Sequence, residues 1–368
     1  MTQPRIVHVV RALEPWGTQR QLLAVSAAAQ QSGLRNIVVC VRGGTIAEPL
    51  RAAGVEVRMV GGDDNPSLAA LARVYRAVSA ARPGVVHLWD DWSLRHIGPI
   101  LALRRKVPYA CSFRNPPPQL TWLRRSLLRC VLRGAAGIIS PSEVLREAAL
   151  AALGGGRRLR DKWQVVRDDV VLPTTGSDRG ALLASLGLSG GVRYIATASR
   201  FTVEKSLRDI LFATALLRMA HADLRLVVCG DGPHAAEIRR FCRSMEIHDI
   251  TVFPGIRDDA AEIIRHAEAY VDAAAVDGPS RGIAVARRLG VPVVCVDSAI
   301  RREQIGNKND ALFAPPHDPG ALTRQLHALL IDAASRTEFM KSSSSPAEAG
   351  IASGVAAYEA MYHRILSA

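Results

Sequence analysis

The stretch that decides the fold runs from Ile195 to Pro292 and begins IATASRFTVEK over residues 195–205. It contains short apolar runs, each followed by glycine, proline or charge, as in LRLVVCGDGP at 224–233 and AYVDAAAVDGP at 269–279. Buried strands that end in such loops are typical of an open parallel sheet. Ligands of these sheets bind outside the carboxyl ends of the strands. The loops therefore mark a predicted binding edge.

Two cations and two glycines stand at that edge. Arg200 and Lys205 follow the first strand, and Gly230 and Gly232 follow the second. Guanidinium and ammonium groups neutralise phosphates through charge-assisted hydrogen bonds, and glycine lets a ligand approach the backbone closely. Taken alone, the two cations are better explained as solvated surface residues. Beside the glycine loops, they indicate a ligand that carries phosphates.

Strands and helices alternate through the whole chain, at the spacing of right-handed crossover units, which implies parallel sheets covered on both faces. Strands are predicted at 6–10, 38–41, 55–60, 85–88, 109–113, 137–139, 192–198, 224–229, 250–253, 269–275 and 292–296. Prolines, glycines and serines between 172 and 191 mark a boundary. We predict an α/β protein of two Rossmann-like, doubly wound domains that face each other across a cleft, at residues 1–180 and 181–345, with an amphipathic helix in 346–368.

The composition limits the class of partner. Hydrophobic residues are 48% of the chain, enough for two cores, and the formal charge is +13. Such an excess favours anionic partners, among them phosphorylated ligands, anionic lipid surfaces and nucleic acid. A genome that encodes arginine often explains the excess equally well. Nucleic acid is disfavoured, because aromatic residues are only 5% of the chain and no recognition motif is present.

The sequence shows no sign of export or of a metal site. The first residues, MTQPRIVHVV, lack the organisation of a signal peptide, and no apolar run reaches the length of a bilayer span. The six cysteines are scattered, without the spacing of a metal site or a disulfide framework. We expect a cytoplasmic protein that needs no metal. An epimerase or dehydrogenase is disfavoured, because no G-x-G-x-x-G follows the first strand.

Two stretches each have two interpretations. Residues 120–133, LTWLRRSLLRCVLR, predict a basic amphipathic helix. It either lies at the interface of an anionic membrane or packs its apolar stripe on the sheet. In HLWDDW at 87–92, Trp89 and Trp92 either stack on a sugar ring or a base, or pack between the layers of the domain.

Several motifs together resemble one family. RFTVEKS at 200–206 resembles the R-x4-K motif of retaining glycosyltransferases of the large sucrose-synthase-like family, which have the GT-B fold. LRLVVCGDGP, LGVPVVCVD at 289–297 and the segment 311–330 resemble further parts of its carboxyl domain. WGTQR at 16–20 resembles its amino-terminal glycine loop, and the last helix resembles the one that crosses back onto the first domain.

The resemblance implies that a sugar passes from a nucleotide-sugar donor to a glycan or lipid-linked acceptor, with retention and without a cofactor or a metal. Arg200 and Lys205 would hold the donor diphosphate and stabilise the leaving group, and Gly17 would let the first domain approach that diphosphate. Polysaccharide or lipid glycosylation at the inner face of the membrane would follow. Further donor contacts are implied for Gly230, Asp231, Gly232, Asp277, Gly278 and Glu303.

The chain departs from the family at the residues that contact the sugar and the ribose. The family's two glutamates, eight residues apart, are Asp277 and Val285 here, and valine cannot bond ribose hydroxyls. A family histidine falls on Arg114, and an asparagine and a glycine fall on Asp168 and Asp169. Arg114 is either an extra catalytic cation that faces a phosphorylated donor or acceptor, or a surface loop residue.

Two functions follow from these departures. The first is an active glycosyltransferase that uses a nucleotide sugar. The second is a catalytically weak or inactive protein on the same scaffold, which binds a nucleotide or a phosphate. The position of Val285 favours the second, and the joint presence of Arg200, Lys205 and the glycine loop favours the first.

Overall fold

The computed structural model describes residues 3–62, 66–116, 121–168, 170, 172, 178–276, 278–306, 311–332 and 351–367. The chain folds as two compact units. The amino unit consists of residues 1–169 and 349–368, and the carboxyl unit of residues 170–348.

Strands and helices alternate in both units. The strands are β1 (Arg5–Ala12), β2 (Arg35–Arg42), β3 (Glu56–Met59), β4 (Val85–Leu88), β5 (Tyr109–Ser112), β6 (Gly137–Ser140), β7 (Trp163–Val165), β8 (Arg193–Ala198), β9 (Leu224–Cys229), β10 (Thr251–Gly255), β11 (Ala269–Asp272), β12 (Val293–Val296) and β13 (Leu312–Ala314). The helices are α1 (Gly17–Gln31), α2 (Ala47–Ala52), α3 (Leu68–Ala80), α4 (Asp91–His96), α5 (Gly98–Arg104), α6 (Trp122–Gly134), α7 (Glu143–Leu153), α8 (Arg157–Arg160), α9 (Arg179–Ser185), α10 (Leu207–Arg218), α11 (Ala235–Ser244), α12 (Ala260–Arg265), α13 (Arg281–Arg288), α14 (Ala299–Ile305), α15 (Pro319–Ile331) and α16 (Ile351–Leu366).

Each unit contains one sheet whose described strands pair in parallel. The strand order is β3-β2-β1-β4-β5-β6-β7 in the amino unit and β10-β9-β8-β11-β12-β13 in the carboxyl unit. The order reverses between β1 and β4 and again between β8 and β11. Such a reversal creates the crevice in which doubly wound sheets bind ligands. The prediction of two doubly wound parallel sheets is confirmed.

Both faces of each sheet are covered, as β1 and β9 illustrate. In β1, Val7 and Val9 belong to one apolar core, whereas Ile6 and Val10 belong to another. In β9, neighbouring residues likewise alternate between two cores. Successive side chains of a strand point to opposite faces, so a strand buried on both sides reads as a continuous apolar run.

The last helix completes the core of the amino unit. Tyr358, Met361 and Tyr362 of α16 are buried in the same cluster as Ile6 of β1. The Tyr362 hydroxyl lies 2.6 Å from Nδ1 of His87 in β4. This bond links residues that are far apart in the sequence and anchors α16 to the centre of the sheet.

Several strands differ from the sequence prediction in their bounds, and two strands were not predicted. The strand predicted at 269–275 ends at Asp272, because the Asp272 carboxylate accepts a hydrogen bond from the Ala274 N–H (3.1 Å) and turns the chain. β7 and β13 were not predicted, because three residues are too few to show a period. None of the described helices has both the length and the apolar character needed to cross a bilayer.

Candidate active site

The loops after β8 and β9 meet at the carboxyl edge of the second sheet. The Phe201 N–H donates to the Asp231 carbonyl (2.8 Å), and the His234 N–H donates to the Phe201 carbonyl (3.1 Å). The Ser199 N–H donates to the Cys229 carbonyl (3.0 Å). These bonds join the segment that carries Arg200 to the GDGP loop.

The glycines of the GDGP loop make this packing possible. Gly230 has a φ of +127°, and a Cβ at this position would overlap the Ser199 carbonyl oxygen. A Cβ at Gly232 would lie 2.5 Å from the Phe201 carbonyl oxygen. The sequence suggested that these glycines let a ligand approach, whereas the structure shows a neighbouring loop at close range.

Arg200 and Lys205 lie on either side of a tight turn. Arg200 is half-buried in the loop after β8, and Lys205, also half-buried, ends a short 3-10 helix at Val203–Lys205. Within the described ranges, no hydrogen bond or ion pair engages the Arg200 guanidinium. Ser206 follows with a φ of +47° and leads into α10. Both cations therefore lie at the strand-order reversal, where the sequence predicts the diphosphate.

A buried ion pair lies beneath this edge. Arg301 of α14 is only 1% exposed, and its Nη2 donates to Oδ1 of Asp272 at the end of β11 (3.0 Å). Burial alone would raise the pKa of Asp272, but the charges of Arg301 and Lys205 outweigh it and hold the pKa below its usual value. Asp272 is therefore a carboxylate in electrostatic contact with one of the two predicted phosphate-binding cations.

Asp272 and Arg301 are not among the residues that the sequence predicts for the site. One signal was present, since Asp272 is a charge at the end of the apolar run AYV, and a buried carboxylate requires a partner. Nothing in the sequence distinguished Arg301 from its neighbour Arg302. Gly278 is buried, and its carbonyl accepts a hydrogen bond from Arg301 Nη1 (2.9 Å). Glu303 is half-buried on α14.

The predicted donor contact at Asp277 lies outside the described residues. Val285, eight positions further on, is buried in α13 and belongs to an apolar core with Tyr270 and Ile283. The position of the family's second glutamate is therefore part of the core. Among the described residues, no group of three or more His, Cys, Asp or Glu side chains is placed to hold a metal ion.

In the amino unit, Arg114 is buried and contacts both a carboxylate and the first helix. Its Nη2 forms an ion pair with the Asp168 carboxylate, and its Nε donates to Oγ1 of Thr18 (3.1 Å). Burial acts to lower the pKa of Arg114, but the nearby Asp168 charge outweighs it and raises the pKa. Arg114 is thus not a surface residue. Two of the positions at which this chain departs from the family, Arg114 and Asp168, are therefore occupied by an ion pair.

Gly17 begins α1 beside this pair. Trp16, which precedes the helix, provides no side-chain cap. The first N–H groups of a helix have no partner within the helix and carry partial positive charge. Thr18 places the Arg114 guanidinium next to them. The structure therefore brings Gly17, Arg114 and Asp168 together at the carboxyl edge of the first sheet.

The tryptophans of HLWDDW pack inside the amino unit. Trp89 is fully buried, with its ring stacked on His87 (4.4 Å between centroids) and on Tyr358 (5.4 Å). Its Nε1 donates to Nδ1 of His8 (2.9 Å). Trp92 is also buried in the core. The packing interpretation is correct for both rings.

The basic helix α6 has two different halves. Val131 and Leu132 near its end are buried. At its start, Trp122 is 78% exposed, Leu123 61% and Leu127 47%. The interpretation that the apolar stripe packs on the sheet therefore holds only for the second half.

Comparisons with known proteins agree with this architecture. A profile described as glycosyl transferase 4-like domain matches residues 17–167, and one described as glycosyl transferases group 1 matches residues 178–345. The chain is 23% identical over 271 residues to alpha-monoglucosyldiacylglycerol synthase of Streptococcus pneumoniae, a match that covers 66% of this chain and spans only 59% of that relative's length. It is 25% identical over 352 residues to 2-deoxystreptamine glucosyltransferase of Streptomyces kanamyceticus, with 90% of each chain covered.

Among solved structures, Anabaena Alr3699/HepE in complex with UDP and glucose is similar over 99% of both chains, with a TM-score of 0.82 and 15% identity. This likeness shows the fold, and the prediction of the GT-B fold is confirmed. The two profiles together cover most of both units. The chain therefore belongs to the glycosyl transferases group 1, the glycosyltransferase family that its motifs resemble.

Proposed function

We propose that this glycosyltransferase moves a sugar from a nucleotide-sugar donor to a glycan or lipid-linked acceptor, with retention and without a metal. One observation carries the proposal: Arg200 and Lys205 both lie in the loop after β8, at the point where the strand order of the second sheet reverses. Cations fixed at such an edge stabilise negative charge as it develops on a leaving diphosphate. The protein supplies this stabilisation without needing a metal.

The names of the relatives support UDP-glucose as the first donor to test. Two of them are named for the making of a glucosyl product or the transfer of glucose, and the HepE structure contains UDP and glucose. We therefore propose UDP-glucose as the first probe, with GDP-glucose and ADP-glucose as alternatives.

The acceptor side of the proposal rests on α6. Its first turns present Trp122, Leu123 and Leu127 to solvent, with Arg124 and Arg125 between them. Apolar side chains flanked by arginines suit a helix that lies in the interface of an anionic membrane. We propose peripheral binding at the inner face of the membrane, where a lipid-linked acceptor is accessible.

The second candidate function is nucleotide binding with little or no turnover. Val285 favours it, because this buried side chain belongs to an apolar core and has no atom that bonds a ribose hydroxyl. The two candidates predict the same nucleotide binding and differ in donor hydrolysis.

Calorimetry with UDP, GDP and ADP, followed by assays of UDP-glucose hydrolysis, tests both candidates. We expect one nucleotide to bind with a Kd between micromolar and millimolar. Its affinity should fall by about tenfold or more in each of the variants Arg200→Ala and Lys205→Ala. Arg218→Ala is the matched control, since Arg218 is exposed at the far end of α10 and pairs with Asp249. Unchanged binding in the two site variants would show that the diphosphate site is wrongly placed. Binding without hydrolysis would select the second candidate.

A further inference from the structure

We propose that Arg301 and Gln304, one turn apart on α14, are positioning residues that hold residues 278–280, in the loop after β11, in the position that the sugar donor requires. The inference rests on the proposed function, because this loop follows β11 at the reversal of strand order. Neither residue belongs to the predicted site. Both act through the backbone of the loop.

Arg301 fixes the loop near its middle. Its Nη1 donates to the Gly278 carbonyl (2.9 Å), while its Nη2 holds the Asp272 carboxylate (3.0 Å). Asp272 in turn accepts the Ala274 N–H (3.1 Å). A planar guanidinium has donors in a rigid fork, so one side chain sets the distance between the end of β11 and the loop.

Gln304 fixes the end of the same loop. Its Nε2 donates to the Ser280 carbonyl (2.6 Å), and its Oε1 accepts the Ser280 N–H (2.9 Å). The Ser280 hydroxyl also caps α13 by accepting the Ile283 N–H (3.3 Å). The amide of Gln304 therefore sets both the end of the loop and the start of α13.

These contacts are directed at one loop. Arg301 and Gln304 together make three hydrogen bonds to the backbone of Gly278 and Ser280. A buried ion pair contributes little net stability compared with apolar residues of similar volume. The placement of all three bonds on a loop at the ligand edge of the sheet is what assigns a role in the reaction.

Arg301 has a second effect, through charge. The Asp272 carboxylate interacts with both Arg301 and Lys205. Without the guanidinium, the Asp272 carboxylate would interact mainly with Lys205. This attraction opposes the interaction of Lys205 with a diphosphate. Removal of the positive charge at Arg301 should therefore weaken nucleotide binding as well as turnover, whereas changes that keep this charge, or changes at Gln304, should affect the sugar end of the donor alone.

The test compares Gln304→Leu, Arg301→Lys and the control Arg302→Ala. Arg302 is the exposed neighbour on α14, paired with Asp297. Three quantities are measured: the affinity for UDP, the kcat and KM for UDP-glucose, and the amide hydrogen exchange of the segment 273–283. Lysine at 301 keeps the positive charge but not the fork, which limits the risk of unfolding.

We expect Gln304→Leu to keep its UDP affinity within about twofold and to lose about tenfold or more in kcat/KM for UDP-glucose. Arg301→Lys keeps the positive charge beside Asp272, so it should likewise keep its UDP affinity within about twofold and lose about tenfold or more in kcat/KM for UDP-glucose. Both should exchange faster in 273–283, and Arg302→Ala should match the wild type. If the wild type binds UDP without turnover, the loss of UDP-glucose affinity relative to UDP replaces kcat/KM.

The two levels of the proposal fail in different ways. A wild type that binds none of the nucleotides overturns the proposed function, and this inference with it. A wild type that binds its donor, alongside variants with unchanged donor kinetics or affinity, overturns the inference alone. If the Gln304→Leu and Arg301→Lys variants melt at lower temperatures but keep the kcat/KM and affinities of the wild type, both residues have a purely structural role.

Discussion

The buried Arg114 forms an ion pair with the half-buried Asp168, 54 residues further along the chain, at the carboxyl edge of the first sheet. Thr18, in the first turn of α1, accepts a further hydrogen bond from the same guanidinium. Two of the substitutions by which this chain departs from its family in the first domain, at Arg114 and Asp168, are therefore one structural change. A charged pair replaces two positions that are uncharged or weakly basic in the family.

We predict that the contributions of Arg114 and Asp168 to the free energy of unfolding depend strongly on each other. Arg114→Met should lower the free energy of unfolding by about 3 kcal/mol, because it leaves the Asp168 carboxylate without its partner. Adding Asp168→Leu should recover much of that loss. Urea unfolding of the two single variants and the double variant measures the coupling. Arg51→Met, which breaks an exposed pair with Glu48, should cost less than about 1 kcal/mol. Additive losses at Arg114 and Asp168 would contradict the prediction.

Acid should destabilise the amino unit through its buried histidines. Burial lowers the pKa of His8 from 6.5 to about 4, against the raising effect of its hydrogen bond to Asn36. Burial also lowers the pKa of His87, helped by the charges of His8 and Arg114. Because the pKa of these histidines is lower in the folded protein than in the unfolded chain, the unfolded chain takes up protons at a higher pH. Stability is therefore full above pH 6.5 and falls as the pH drops towards 4.

For His8 alone the loss by pH 4 should be about 3 kcal/mol. Unfolding free energies of the wild type and of His8→Gln, measured between pH 8 and pH 4, isolate this contribution. The variant should have the shallower slope below pH 6.5. Equal slopes would mean that His8 titrates normally in the folded protein.

Gly230 should tolerate no side chain. Alanine there would need a φ near +127° and would overlap the Ser199 carbonyl, so Gly230→Ala should lower the unfolding free energy by about 2 kcal/mol or more. Nucleotide affinity should fall as well, because Arg200 is the next residue after Ser199. Gly190→Ala serves as the control, since nothing lies within 4 Å of a Cβ at Gly190. Thermal melting with and without UDP measures both effects. A stable Gly230→Ala variant would show that the two loops pack less closely than described.

Membrane binding should depend on the exposed start of α6. Leu123→Ser with Leu127→Ser should weaken sedimentation with vesicles of phosphatidylglycerol by about tenfold or more, because each leucine loses apolar burial. Binding of the wild type should be weaker to phosphatidylcholine and should fall with salt. Leu103→Ser is the control, because Leu103 is an exposed leucine on a different helix, α5. Equal binding of the double variant and the control would exclude α6 as the contact.

Local patterns were enough to predict the two sheets and the edge at which Arg200 and Lys205 lie. The apolar runs of β8, β9 and β11 each end in a loop of glycine, proline or charge, and both signals lie within a few neighbouring residues. Helix starts were equally local. In SPSE at 140–143, Ser142 caps α7 by accepting the Leu145 N–H (3.2 Å). Burial of a strand on two faces and the geometry of a cap depend on nearby residues, so sequence alone determined them.

Only the tertiary structure decided which side chains meet. His87 reaches Tyr362 across 275 residues, and Arg301 reaches Asp272 across 29. The order of strands in each sheet sets such pairs, because it brings the ends of distant segments to one edge. The glycines of the GDGP loop show the same limit. The two glycines were visible in the sequence, but the sequence did not show that the loop after β8 packs against them. That contact exists because β8 and β9 are neighbours in the sheet.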